Sequence, residues 1–338
     1  MLRRVVTLIV TSLVLALSHI CFAQINVTVT APVVSYALTQ AFGDLLHIKV
    51  LLKGYVNPHY VPVTLSMINK VKKSQIYVPL WHFPLEYRLA SYAKFHNIIV
   101  PTIEQYFKNG LKFLKYPGTT LNNTHGWWLY PENMLALVKA VAKILIENNP
   151  EYTDMIELKL KQFSKDIQHL EKTLSYIGRE IRTLQSRYRI FLVCACPAFQ
   201  YLLKSLNVSC IVLHEVSMTE AVSKILKMRG VPIIMLAEFQ KGTKLDYYMR
   251  NLALRKRGIV LYLPVLGLDN ENVTYTEYIM YLVGKLYGAM TSVSFSYHAQ
   301  SSSANVNYIY VLYVLASITC ILLVITVSAL RRISSRLS

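Results

Sequence analysis

The hydrophobic pattern of the chain predicts two α/β regions on either side of a long helix. Short apolar runs that are typical of strands alternate with amphipathic stretches in residues 24–150, and they do so again in residues 189–290. Strands that alternate with helices favour mainly parallel sheets, because each helix carries the chain back across the sheet. We therefore predict an α/β fold with an N-terminal lobe over 24–150 and a C-terminal lobe over 189–290.

Residues 151–188 are predicted to form one long linking helix. Its apolar positions recur in steps of three and four: Ile156, Leu160, Phe163, Ile167, Leu170, Leu174 and Ile177. The spacing predicts a continuous amphipathic helix, roughly 50 Å long at 1.5 Å per residue. It is also compatible with a short coiled coil. A helix of this length exceeds what one lobe needs, so we favour a strut between two lobes with a ligand-binding cleft between them.

The N-terminus predicts export. Residues 1–23 combine two arginines, an apolar run and a small-residue exit at Ala23, which is the pattern of a signal peptide. An uncleaved anchor is the alternative, although the apolar run is shorter than the ~20 residues that a span needs.

The C-terminus predicts a membrane anchor. Residues 308–330 contain no charge and suffice for a transmembrane helix, and 331–338 form a basic tail that should stay cytoplasmic. A Ser-rich stretch over 291–307 is expected to be a flexible tether. The protein is therefore predicted to be a single-pass membrane protein with a monomeric extracytoplasmic ectodomain.

The net charge of +18 changes this picture little. Two arginines of the signal peptide and three of the tail contribute to it, which leaves +13 for the region between them. No basic run is interleaved with aromatic residues as in a nucleic-acid-binding module, so we predict no nucleic-acid partner. Attraction to anionic lipid or envelope polymer, or simple solvation, remain open explanations of the charge.

Three cysteines fall in the predicted ectodomain: Cys194, Cys196 and Cys210. This odd and sparse set is not a disulfide framework. A bridge between Cys194 and Cys210 on neighbouring strands is possible, and it would leave the Cys196 thiol free.

Three segments carry a resemblance to a known family. They are Gly-Tyr-Val-Asn-Pro-His-Tyr-Val-Pro at 54–62, Trp-Leu-Tyr-Pro-Glu-Asn at 128–133 and Cys-Pro-Ala-Phe-Gln-Tyr at 196–201. Together they resemble the metal-ligand segments of the zinc/manganese-type solute-binding proteins of ABC importers. The resemblance covers most of residues 25–290 and implies two α/β lobes, a rigid linking helix and a metal at the lobe interface.

The resemblance implies three metal ligands, His59, His125 and Cys196, although only His59 keeps both the family's position and its chemistry. In strict register the second histidine of the family falls on Gly126, one residue after His125. The family's fourth, aspartate position is Leu263. Asp269 or Glu271 could instead supply a fourth ligand.

The family also implies partners. Its binding proteins dock acidic residues of both lobes onto a permease, and Glu86 and Glu215 are the candidates here, with solvated surface glutamates as the alternative. The ATPase subunits would be separate chains, because this chain has no phosphate-binding Gly-rich loop.

The sequence thus predicts a membrane-anchored protein that captures a divalent metal, with zinc favoured over manganese because imidazole and thiolate suit zinc. The same fold with a decayed metal site, binding another solute or a metal chelate, is one alternative. A surface adhesion or structural protein is another. We predict no enzyme activity, since the chain has neither a nucleophile elbow nor a His-Glu-x-x-His motif.

Overall fold

A computed structural model describes residues 24–214, 218–270 and 272–301, excluding the side chains of Met218 and of 295–301. The N-terminal lobe is built on three parallel strands: β1 (Ile25–Val29), β2 (Leu46–Val50) and β3 (Ile76–Val78). Their order is β2-β1-β3, and Val27 lies opposite both Ile48 and Ile76. Because the strands are parallel, the loops that follow all three leave the same edge of the sheet.

Five helices and a hairpin complete this lobe. They are α1 (Pro32–Phe42), α2 (Leu65–Lys72), α3 (Pro84–Phe95), α4 (Ile103–Lys108), the strand pair β4 (Leu114–Lys115) and β5 (Asn122–Asn123), and α5 (Pro131–Asn148). Proline begins α1, α3 and α5, a position where its missing N–H costs nothing and its fixed φ suits the helix.

The long helix α6 (Thr153–Tyr188) spans 36 residues. Its buried side chains lie on one face, where its N-terminal part packs against α1 and α5: Ile156, Phe163, Ile167, Leu170, Leu174 and Ile181. Near its other end Gly178 approaches Leu206 so closely that an added Cβ would stand 1.9 Å from the Leu206 carbonyl oxygen. Arg182 donates to the carbonyls of Leu206 and Asn207. The helix is therefore held both by helices that precede it in the chain and, near its C-terminal end, by residues that follow it.

The C-terminal lobe contains a second parallel sheet in the order β7-β6-β8-β9: β6 (Ile190–Cys194), β7 (Ile211–Val212), β8 (Val231–Ala237) and β9 (Ile259–Leu263). Its helices are α7 (Phe199–Ser205), α8 (Met218–Lys227), α9 (Lys244–Arg255) and α10 (Tyr275–Ser301). Strands β6 and β8 are almost entirely buried, as expected of a parallel sheet covered on both faces.

The loop after β9 joins this sheet to the N-terminal lobe. Val33 N–H at the start of α1 donates to the Leu266 carbonyl at 2.8 Å, and the Trp128 indole donates to the Val265 carbonyl at 2.8 Å. Gly54 approaches Gly267 so closely that an added Cβ would stand 2.0 Å from its carbonyl oxygen. Backbone-to-backbone contact of this kind fixes the distance between the loops of the two lobes.

The parallel α/β fold and the long helix predicted from the sequence are confirmed, and the buried face of α6 packs within its own chain. The predicted tether over 291–307 needs a correction, because residues up to Ser301 continue α10. No proline lies between Tyr275 and residue 307, and adding residues to an existing helix costs less free energy than nucleating a new one. The domain boundaries remain predictions.

None of the helices in the described residues is both long and apolar enough to cross a membrane. The signal peptide over 1–23, the span over 308–330 and the tail over 331–338 lie outside those residues and remain predictions.

The cysteine pair proposed from the sequence is brought together. Cys194 at the end of β6 and Cys210 just before β7 have their sulfur atoms 3.2 Å apart, and both are free thiols here. Burial raises the pKa of the Cys194 thiol well above its usual value, with the hydrogen bond to Cys210 adding to the shift. Since the thiolate is the reactive form, the folded pair should resist exchange, and a bridge would form most readily while the chain folds.

We therefore expect protein that folds in an oxidising compartment to carry a Cys194–Cys210 disulfide. Intact-mass analysis would find it two hydrogens lighter than the reduced form, and peptide mapping would join the two cysteines. Reduction should lower the melting temperature, because the bridge closes a loop and restrains the unfolded chain. A Cys196→Ser variant is the matched control and should keep the bridge. A fully reduced wild type under these conditions would contradict the expectation.

Candidate metal centre

Three histidines of the N-terminal lobe converge at the edge where its parallel strands end. His59 follows β2, His82 follows β3, and His125 follows the β4–β5 hairpin. One nitrogen from each ring can be chosen such that all three lie within 4.8 Å of one another. The ring centroids are 5.1 Å apart for His59 and His82 and 4.5 Å for His82 and His125. Three imidazole nitrogens this close together form a potential ligand set for one metal ion.

Each of the three backbones is held by a neighbouring polar side chain. The His59 N–H donates to Asn57 Oδ1 at 3.2 Å, and the His125 N–H donates to Asn123 Oδ1 at 2.9 Å. The His82 N–H donates to Glu86 Oε2 at 2.7 Å. These short-range bonds fix where each imidazole leaves the main chain.

Glu86 organises the turn that carries His82. Its carboxylate is fully buried and accepts the N–H groups of Leu80, His82 and Phe83 at 2.6 to 2.8 Å. Burial nevertheless raises its pKa, against the lowering effect of these hydrogen bonds. Trp81 within the turn has a φ of 55°, a left-handed conformation that is uncommon for a side chain of this size. The prediction that Glu86 docks onto a permease is therefore wrong, because its carboxylate does not reach the surface.

Aromatic side chains form the wall of the centre. Phe83 packs edge-on against His59 at 5.4 Å and against His82 at 4.8 Å, and Trp128 lies 5.8 Å from His82. Trp127 and Trp128 are buried, and the Trp128 indole reaches the C-terminal lobe through its hydrogen bond to Val265.

The hairpin that leads to His125 lies against the C-terminal lobe. Tyr201 of α7 donates its hydroxyl to the Asn123 carbonyl at 2.5 Å, and Asn123 Nδ2 donates to the Pro197 carbonyl at 3.0 Å. Gly126, with a φ of 75°, lies so close to Ala198 that an added Cβ would stand 2.3 Å from the Ala198 Cβ. Gly126, which stands at the position of the family's second histidine, thus forms a contact between the lobes. The neighbouring residue, His125, belongs to the histidine cluster.

Burial keeps the imidazoles neutral. It lowers the pKa of His82 to about 2, with smaller contributions from the charges of His125 and His59. It lowers the pKa of His125 to about 4, assisted by His59 and His214, and it also lowers the pKa of His59. A neutral imidazole has a free lone pair, so these groups are in the form that binds a metal.

The other predicted ligands lie elsewhere. Cys196 is buried outside the cluster, and burial raises the pKa of its thiol to about 12. Asp269 Oδ1 accepts the Gly54 N–H at 2.8 Å. Leu263, at the family's aspartate position, is buried. Glu271 and Glu215 lie outside the described residues. The structure therefore groups His59 and His125 as expected but supplies His82 in place of Cys196.

His82 was not predicted because it lies in none of the three segments that resemble the family's ligand segments. One feature of the sequence could have indicated it. His82 comes four residues after the apolar strand β3, and because β2 and β3 are parallel, residues that follow them lie at the same edge of the sheet as His59.

We expect the metal-free protein to lose stability as the pH falls from about 6.5 towards 4. Over this range the unfolded chain protonates its histidines, whereas in the folded protein the pKa of His82 is about 2 and that of His125 is about 4, so protons favour unfolding. Urea unfolding at several pH values measures the slope. A His82→Asn variant should show a shallower slope, and the exposed His169→Asn control should match wild type. Equal slopes for wild type and His82→Asn would contradict a neutral His82 in the folded protein.

The comparisons with known proteins agree with this fold. Residues 27–289 match the family described as ZnuA, the periplasmic zinc-uptake complex component A. A search of curated proteins finds no match. Among solved structures, a zinc-bound ZnuA deletion mutant has a TM-score of 0.63 at 19% identity, covering 79% of this chain and 98% of its own.

Two other solved structures are similar. FpvC from Pseudomonas aeruginosa, in complex with Mn²⁺, has a TM-score of 0.62 at 12% identity and covers 80% of this chain and 99% of its own. The Mn-bound periplasmic metal-binding protein of Candidatus Liberibacter asiaticus has a TM-score of 0.61 at 15% identity and covers 80% and 100%. These likenesses support the fold, and the family match over most of the chain shows that this protein belongs to the ZnuA family of metal-binding proteins.

Proposed function

We propose that this protein captures a divalent metal ion at His59, His82 and His125 and delivers it to an ABC importer. The observation that carries the proposal is the convergence of three neutral imidazoles within 4.8 Å at the lobe interface. The metal is the transported substrate, and the permease and its ATPase subunits are separate chains. The proposed role needs no catalytic group.

Zinc is favoured over manganese as the substrate. The cluster offers only nitrogen donors, which suit zinc, copper and nickel, whereas manganese prefers carboxylate and other oxygen ligands. The apolar Leu263 and the hydrogen-bonded Asp269 support the same preference, since neither extends an oxygen donor to the cluster.

We also propose that the protein works at the outer face of a membrane. The apolar stretch 308–330, followed by Arg331, Arg332 and Arg336, supports a C-terminal anchor with a cytoplasmic tail. Such an anchor would keep the metal-binding lobes close to the permease.

The metal proposal predicts that His82→Ala sharply weakens zinc binding. Removing a ligand should cost more than the ~10–100-fold lost when an outer hydrogen-bond partner of a ligand is removed. Elemental analysis after exposure to equal Zn, Mn, Fe and Cu, together with competition titration against a chelator, measures both selectivity and affinity.

Cys196→Ala is the matched control and should bind about one equivalent of zinc, as wild type does. A loss of zinc in Cys196→Ala but not in His82→Ala would restore the thiolate to the site and contradict the histidine set. A folded wild type that binds none of the four metals would favour a binding protein for another solute or a metal chelate, or a surface protein without a ligand.

The anchoring proposal predicts that the full-length protein and a chain without the C-terminal segment are found in different cell fractions. The full-length protein should remain in the membrane fraction through an alkaline carbonate wash, because a spanning helix is not released by charge or pH. A chain that ends at residue 305 should be recovered in the soluble extracytoplasmic fraction. Retention of the shortened chain in the carbonate-washed membrane would show that the C-terminal segment is not the anchor.

A further inference from the structure

The C-terminal lobe carries much of its positive charge at one edge of its sheet. In a parallel α/β lobe each helix returns the chain to the edge where the strands begin, so the ends of α6, α7, α8 and α9 meet there. The four stretches 182–190, 202–210, 222–230 and 251–258 contain ten basic residues and no acidic one. Glu220, Glu238 and Asp246 lie at the opposite edge, where strands end and helices begin.

Direct contacts join these stretches into one surface. The Val231 N–H donates to the Arg189 carbonyl at 3.0 Å, Lys256 Nζ donates to the Met228 carbonyl at 2.6 Å, and Arg182 bonds to the end of α7. We call this surface the basic edge and define it by its exposed cations: Arg187, Arg189, Lys204, Lys224, Lys227, Arg229, Arg255 and Arg257.

The charges of the basic edge are not neutralised within the described residues, where the one ion pair of a Lys or Arg joins Arg250 to Asp246, outside this surface. Basic residues in the last turn of a helix are favoured by the helix dipole, which accounts for Arg187 and Arg255. Arg189 and Arg257 follow the helices with φ values of 52° and 55°, a conformation that glycine or asparagine adopts more easily. Helix stability therefore does not explain the whole set.

Two exposed leucines lie among these cations. Leu226 is 47% exposed and Leu254 is 74% exposed. Surfaces that bind anionic lipid combine both features, because Lys and Arg attract the headgroups and apolar side chains enter the boundary below them. A soluble anionic polymer would use the charges but leave the leucines in water. The composition therefore favours a lipid surface as the partner.

Contact at the basic edge would leave the lobe interface free. The strands run from this edge to the interface, where the loop after β9 meets the N-terminal lobe. Strand β8, with seven residues, is roughly 23 Å long at 3.3 Å per residue. A permease could therefore reach the histidine cluster while the basic edge lies on lipid.

We propose that the basic edge binds the anionic headgroups of the membrane that holds the C-terminal anchor. The inference rests on the anchoring part of the proposed function and not on the metal. Because the anchor keeps the lobe beside the bilayer, a contact that is weak in solution suffices to orient it. The attraction is electrostatic and acts at an exposed surface, so salt should screen it.

The test uses the full-length protein in nanodiscs of phosphatidylcholine alone or mixed with phosphatidylglycerol. Hydrogen–deuterium exchange of wild type should show lower deuterium uptake over 224–230 and 254–258 in the anionic discs than in the neutral ones. High salt should remove the difference, whereas the uptake of the N-terminal strands should be equal in all discs.

Charge reversal identifies the surface responsible. The variant Lys227→Glu/Arg229→Glu/Arg255→Glu should lose the dependence on anionic lipid. A matched control carries the same change in net charge and should keep that dependence, because it reverses three exposed lysines of the N-terminal lobe: Lys72, Lys73 and Lys108. Circular dichroism establishes that both variants are folded, and the salt series on wild type needs no variant.

Three outcomes overturn the inference in different ways. Equal uptake of wild type in the two discs would mean that the basic edge is only solvated. Lower uptake after soluble heparin is added to the neutral discs, without an effect of anionic lipid, would assign the surface to an anionic polymer instead. A full-length protein that does not enter nanodiscs would overturn the anchoring proposal together with this inference, while zinc binding is measured independently.

Discussion

Three imidazoles can share this small, partly buried volume only while they remain uncharged. Protonation of one would place a cation among aromatic side chains and beside two further rings that would resist a second charge. The arrangement therefore depends on desolvation, which keeps the nitrogen lone pairs free at neutral pH. The same condition supports the proposed metal binding, because a metal ion could use all three lone pairs at once and a proton can use only one.

Hydrogen bonds between residues that are close in sequence hold the three histidine backbones in place. Two asparagines and a buried glutamate each accept the backbone N–H of one histidine. The buried Glu86 accepts two further N–H groups of the same turn. Its carboxylate thus replaces the hydrogen bonds that a tight turn would otherwise leave unmade inside the protein. Loss of the Glu86 carboxylate would remove the acceptor of three N–H groups in the turn that carries His82.

Much of the fold could be predicted from periodicity, whereas the site could be predicted only in part. The apolar steps of α6 and the alternation of strands and helices depend on local patterns, and the structure contains both. His59 was found because its flanking prolines and glycine resemble a known segment. His82 was missed because proximity between loops after different strands is a tertiary property. Cys196 was favoured by its position in a motif, which carries no information on whether the side chain turns into the core.

Gly126 shows how a departure from the family pattern can be compensated. Its lack of a side chain lets the hairpin approach Ala198, and the preceding residue, His125, reaches the cluster. The segment therefore combines close contact between the lobes at Gly126 and a proposed metal ligand at His125 in adjacent residues. In a strict alignment with the family, the second histidine corresponds to Gly126, and the segment would be taken to lack a ligand.

Hydrogen bonds hold the backbones of all three histidines, so a metal ion would enter a largely formed cluster. A preorganised site needs little ordering of side chains when the ion enters, so association can be fast. The same preorganisation slows spontaneous departure, because three donors must be withdrawn together. In the proposed function, delivery would then be the difficult step, and a permease would have to act chiefly as a catalyst of metal release.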